Sequence, residues 1–140
     1  MNDRFFLDTN LFVYSLEESE PRKSARAREL IRHAIVTGKG VVSYQVVQEF
    51  LNVALRRFST PLLPFDAEHY VSTVFRPLLA VHSSISLYVE ALRLQSRSGL
   101  AWYDSLIVAS ALESGCAALY TEDLQHGQMF KELRVQNPFL

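Results

Sequence analysis

Brief apolar runs of three or four residues alternate along this chain with longer stretches whose apolar residues recur at helical spacing. That alternation leaves few folds open. Strands this short and apolar, with no polar face, must be covered on both sides, and a helix between successive strands makes them parallel. The runs are Arg4–Leu7, Val41–Ser43, Ala80–His82, Ala117–Tyr120 and, near the tail, Arg134–Val135. Between them, helices are expected over Leu11–Leu16, Pro21–Thr37, Tyr44–Phe58, Asp66 to about Arg76, Ser84–Ser98 and Tyr103–Ser114. Pro21 suits a first helical position, and Gly38, Gly99 and Gly115 stand just past helix ends. Asp66 is expected to cap its helix and Pro77 to end it. Ser59–Phe65, with two prolines, reads as a loop.

The expected fold class is α/β, with a central, mainly parallel sheet. At 140 residues, with neither an internal repeat nor a Pro/Gly/Ser-rich linker, residues 1–140 read as one domain. Its size buries enough surface to fold without disulfides. The single cysteine, Cys116, cannot close an internal bridge, which fits a reducing compartment, and the expected location is cytoplasmic. No segment approaches the roughly 20 apolar residues of a membrane span. A net charge of −1 gives no global attraction for nucleic acid, so any such binding must use local basic groups.

Four acidic residues sit against these apolar elements: Asp8 after the first run, Glu49 inside a helical stripe, Asp104 at a helix start and Asp123 after the fourth run. Each has an ordinary explanation taken singly, as a helix cap, a locally paired glutamate or a turn residue. Together they adjoin four core elements, and in open α/β sheets sites form at the carboxyl ends of strands. Two carboxylates about 5 Å apart repel by about 3 kcal/mol at an effective dielectric near 20. A cluster of four must therefore take up protons or bind a cation, and all-oxygen sites suit Mg²⁺ or Mn²⁺. Glu122, beside Asp123, is a competing ligand on sequence grounds.

The segments Phe6-Leu7-Asp8-Thr9-Asn10, Ser43 with Glu49, Trp102 to Ala111 and Leu119 to Gly127 resemble, in order and spacing, the PIN domain, and within it the VapC-type toxin nucleases of toxin–antitoxin pairs. The resemblance implies a three-layer α/β/α sandwich and a metal-dependent endoribonuclease. It implies that Asp8, Glu49, Asp104 and Asp123 are the catalytic and metal-holding acids, with Asn10, Ser43 and Thr121 as supporting polar residues. It further implies a homodimer restrained by a small antitoxin protein.

For RNA, the candidate basic contacts are Arg22, Lys23, Arg26, Arg28, Arg32, Arg56, Arg57, Arg93 and Arg97. Trp102 and Tyr103 are candidate stacking residues, with packing in the wall as the plainer role. Leu62, Leu63 and Phe65 form a candidate apolar grip for a partner. A haloacid-dehalogenase-like phosphatase wants a second Asp where Asn10 stands. A receiver domain wants paired acids near the start and a late strand-end lysine, and Lys131 follows no clear strand. The remaining rival is a catalytically silent module of the same fold that binds RNA or protein.

Overall fold

The computed structural model describes residues 2–140. Its first strand, β1 (Phe5–Leu7), runs into helices α1 (Thr9–Leu16) and α2 (Pro21–Thr37). Strand β2 (Gly40–Ser43) is followed by α3 (Tyr44–Arg56) and α4 (Pro64–Tyr70). A single π-helical turn, Val71–Phe75, and the short α5 (Arg76–Leu78) then lead to β3 (Leu79–Val81). Helices α6 (Ile85–Ser98) and α7 (Trp102–Glu113) precede β4 (Ala118–Tyr120), β5 (Met129–Phe130) and β6 (Leu133–Gln136).

The six strands lie in the order β3-β2-β1-β4-β6-β5. All neighbours are parallel except the terminal β5–β6 pair. Every residue of β1 and β2 is buried, as strands covered on both faces require. The helices pack in two groups, α1 to α5 and α6 with α7. Right-handed crossovers put these groups on opposite faces, because the chain reverses direction across the sheet between β3 and β4. The result is the expected α/β/α sandwich. The reversal makes the β1–β4 boundary the topological switch point, where the carboxyl ends of two adjacent strands open a crevice.

Local chemistry accounts for most boundaries. Pro21 and Pro64 open α2 and α4, and the Ser84 hydroxyl accepts the Leu87 N–H to cap α6. Gly40 begins β2 against α2, where a Cβ would lie 2.1 Å from the Ala34 Cβ; only glycine lets the helix sit that close to the sheet.

Three expectations need correction. Leu63, not Asp66, occupies the cap position of α4, and Asp66 lies in its first turn. Pro77 does not end the helical run, which continues to Leu78. The π turn just before it, closed by the Arg76 N–H to Val71 O, widens the backbone where a proline ring would otherwise clash. Strand β3 is displaced one residue from Ala80–His82, and the two-residue β5 has no counterpart in the sequence reading.

Candidate functional site

A cleft of about 360 Å³ opens at the carboxyl edge of the sheet, and Asp8, Glu49, Asp104 and Asp123 all line it. That volume falls in the usual range for small-ligand sites. Asp8 reaches it because it follows β1, Glu49 because α3 returns beside α1, Asp104 from the first turn of α7, and Asp123 from the turn after β4.

Asp8 is 5% exposed, and both its oxygens are engaged. Oδ1 accepts the Thr9 backbone N–H at 2.7 Å and Oδ2 accepts the Thr121 hydroxyl at 2.8 Å. Its helix-cap role is therefore real and coexists with a place in the cleft. The fully buried Thr121 hydroxyl also accepts the Asp123 backbone N–H at 3.1 Å, tying the turn after β4 to the end of β1. Asn10 Nδ2 donates to Asp123 Oδ2 at 3.1 Å, and Thr9 Oγ1 donates to Glu49 Oε1 at 2.8 Å. Asp104 is not a cap: Ala101 holds that position.

Burial pushes the Asp8 carboxyl up to about 7. The hydrogen bonds from Thr121 and Thr9 partly offset this, and the charges of Asp123 and Glu49 add to it. Burial, then the charge of Asp123, raises Asp104 as well. Among the described residues no Lys, Arg or His forms a salt bridge with any of the four cleft acids. Glu122, in contrast, is fully occupied outside the cleft: Lys23 Nζ lies 3.0 Å from Oε2, and the Tyr14 hydroxyl donates to Oε1.

Among the described residues no three Asp, Glu, His or Cys side chains are gathered tightly enough to hold a metal ion as they stand. The carboxylates share a cleft but hold apart, as uncompensated like charges must. The donor set nevertheless suits a hard divalent cation such as Mg²⁺ or Mn²⁺, being all oxygen and without an ion-paired protein cation among the described residues. Asn10 Oδ1 is a further oxygen there, buried and without a hydrogen-bond partner.

Ser43 does not line the cleft; its hydroxyl is buried at the start of α3 with no partner. Sequence reasoning missed Thr9, Tyr14 and Gln45, which do line it. Gln45 is buried and its Nε2 donates to the Tyr103 carbonyl at 3.1 Å. A buried amide at the start of an amphipathic helix was the available signal. Several basic candidates are structural. Arg22 and Arg26 donate to the carbonyls of Phe139 and Pro138, and Arg28 to that of Ser15. Trp102 is partly buried beside Tyr88, their ring centroids 6.5 Å apart, whereas Tyr103 is 64% exposed. Leu62 packs on the core; Leu63 and Phe65 do not and stay exposed.

The PIN domain family model matches residues 5–132, and the chain belongs to that family. No curated protein matches it. Solved structures with the same fold include FitAB bound to an IR36 DNA fragment, at 18% identity and TM-score 0.74, covering 97% of this chain and 96% of that one. VapC20 of Mycobacterium tuberculosis, a sarcin–ricin-loop-cleaving toxin, is similar at 21% identity and TM-score 0.61, covering 85% and 89%. VapBC2 from Rickettsia felis, bound to a promoter DNA fragment, is similar at 16% identity and TM-score 0.61, covering 95% and 97%.

Proposed function

We propose that the protein is a divalent-metal-dependent endoribonuclease, acting in the cytoplasm as the toxin of a toxin–antitoxin pair. The observation that carries this reading is the cleft itself: four acids from four separate segments line it, and among the described residues no cation pairs with them. Asp8, Glu49, Asp104 and Asp123 would hold Mg²⁺ or Mn²⁺. When bound, the ion would offset charge on the phosphate and lower the pKa of a coordinated water.

The chain's own groups have distinct tasks. Thr9 and Thr121 fix the Asp8 carboxylate from both sides, so its orientation does not depend on a ligand. Asn10 steadies Asp123, and Thr9 steadies Glu49. Asp104 receives no hydrogen bond from the described residues and has a raised pKa, which suits a group that orients or deprotonates water. The attacking water gives up a proton to a cleft carboxylate as its oxygen bonds to phosphorus, the bond from phosphorus to the 3′ oxygen breaks, and that oxygen takes a proton from solvent, so the ends are 5′-phosphate and 3′-hydroxyl.

The family's toxin–antitoxin members support a small antitoxin as partner, and the exposed Leu63 and Phe65 offer an apolar grip. A homodimer is part of the same proposal. Ile85, Val89 and Leu92 leave an apolar stripe exposed along α6, a face that a second copy would cover.

Cleavage of single-stranded RNA with Mn²⁺ tests the activity. Wild type is expected to cut, EDTA to stop it, and Asp8→Asn and Asp104→Asn to lower kcat/KM at least about 100-fold. Equal cleavage by wild type and both variants would reject the assignment and leave a silent binding module. Products ending in 2′,3′-cyclic phosphate would reject the water route.

A further inference from the structure

Phosphodiester chemistry explains only part of the cleft. Three helices each bring a polar side chain to it and, one turn further on, an apolar one: Asn10 then Val13 on α1, Glu49 then Val53 on α3, Asp104 then Ile107 on α7. Residues three or four apart share a helix face, so the cleft grades from acidic to apolar. Tyr103, 64% exposed, stands beside Asp104 in the first turn of α7 and shares a helix face with Ile107 one turn on, so it borders both the acidic and the apolar lining. Its backbone does not drift, because the buried Gln45 amide holds its carbonyl at 3.1 Å. An exposed aromatic ring on a pinned backbone, beside apolar walls and a carboxylate cluster, suits a ligand with a flat apolar face next to a phosphate.

We infer that the apolar half of the cleft is a nucleobase subsite, in which Tyr103 is the platform for a base adjoining the scissile phosphate. This deepens the nuclease reading and rests on it. Stacking accepts any base, since each has a π face, so the subsite sets where the strand lies rather than which base is read.

Two measurements on the whole protein separate the possibilities. Single-stranded RNA carrying 2-aminopurine is titrated with wild type and with Tyr103→Phe, Tyr103→Leu and Tyr103→Ala in EDTA. Cleavage of the unlabelled strand is followed in Mn²⁺. Wild type and Tyr103→Phe are expected to quench the fluorophore, and the Leu and Ala variants to lose that quenching. Tyr103→Ala is expected to raise KM about tenfold, within the range for base–aromatic stacking, with a much smaller change in kcat. An abasic nucleotide at the stacked position should cost wild type the same factor and cost Tyr103→Ala nothing more.

Quenching unchanged in Tyr103→Ala, or abasic and Ala penalties that multiply, would overturn the subsite. So would a Tyr103→Leu variant equal to wild type, which would mark the residue as an apolar protein contact. Cleavage without dependence on Tyr103 would reject the subsite and keep the nuclease. Tyr103-dependent quenching without cleavage would reject the nuclease reading and with it the placement beside a scissile phosphate, leaving Tyr103 only as a base-stacking residue of a binding module.

Discussion

Asp8 shows how one residue serves structure and site at once. It caps α1 with one oxygen, takes the Thr121 hydroxyl with the other, and pays for both with desolvation. Its carboxyl titrates at about 7 in the fold, against an ordinary 3.8. Between those values the folded protein binds more protons than the unfolded chain, so this group's contribution to stability falls as pH rises. The penalty is nearly complete a unit above pH 7 and on the order of 4 kcal/mol. In metal-free protein, Asp8→Asn should therefore melt above wild type, with a gap that widens from pH 5 to pH 8. Saturating Mg²⁺ should narrow the gap by stabilising only the wild type. Thermal melts across this range check both statements, and a gap independent of pH would refute the first. Asp8 was legible in the sequence because a carboxylate directly follows an apolar run. Thr9, Tyr14 and Gln45 were not, because their roles depend on contacts between separate segments: Thr9 reaches Glu49, Tyr14 reaches Glu122, and Gln45 reaches Tyr103.

Among elements, those with strong periodicity were readable and those defined by contact were not. Helix α2 carries its apolar stripe and both end signals in its own sequence. Strand β5 is two residues held only by pairing with β6, and nothing local announces it. The basic face of α2 is the instructive case. Read as sequence it offers candidate RNA contacts on what is more ordinarily a solvated helix face. In the fold, Arg22 and Arg26 fasten the C-terminal tail while Lys23 holds Glu122. The last turns of α2 are equally committed, because Ala34 meets β2 at Gly40. Gly40→Ala should push helix and strand apart and destabilise the protein by about 1–3 kcal/mol. Chemical denaturation measures this, and a loss below about 0.5 kcal/mol would mean the contact relaxes freely.

For the molecule as a whole, a net charge of −1 and an acidic cleft oppose a polyanion, so the RNA binding proposed above must rely on local attraction. With much of α2 occupied by structural contacts, the exposed Arg56 and Arg57 become the better candidates. They end α3, the helix that brings Glu49 and Val53 to the cleft. Replacing both with alanine should weaken binding of single-stranded RNA for every sequence alike. It should also reduce the slope of log affinity against log salt by about 1.4, at about 0.7 per phosphate contact. Binding titrations at several salt concentrations would show this, and an unchanged slope would exclude the pair.

The place of β4 beside β1 has a consequence in time. Asp8 precedes by more than a hundred residues the threonine whose hydroxyl it accepts, and Thr121 and Asp123 both follow β4. Until β4 arrives, β1 has an open edge and no partner on that side. A nascent chain halted before residue 118 holds three of the four acids and no finished cleft. Whatever the assembled cleft does, it cannot begin before β4 has docked beside β1.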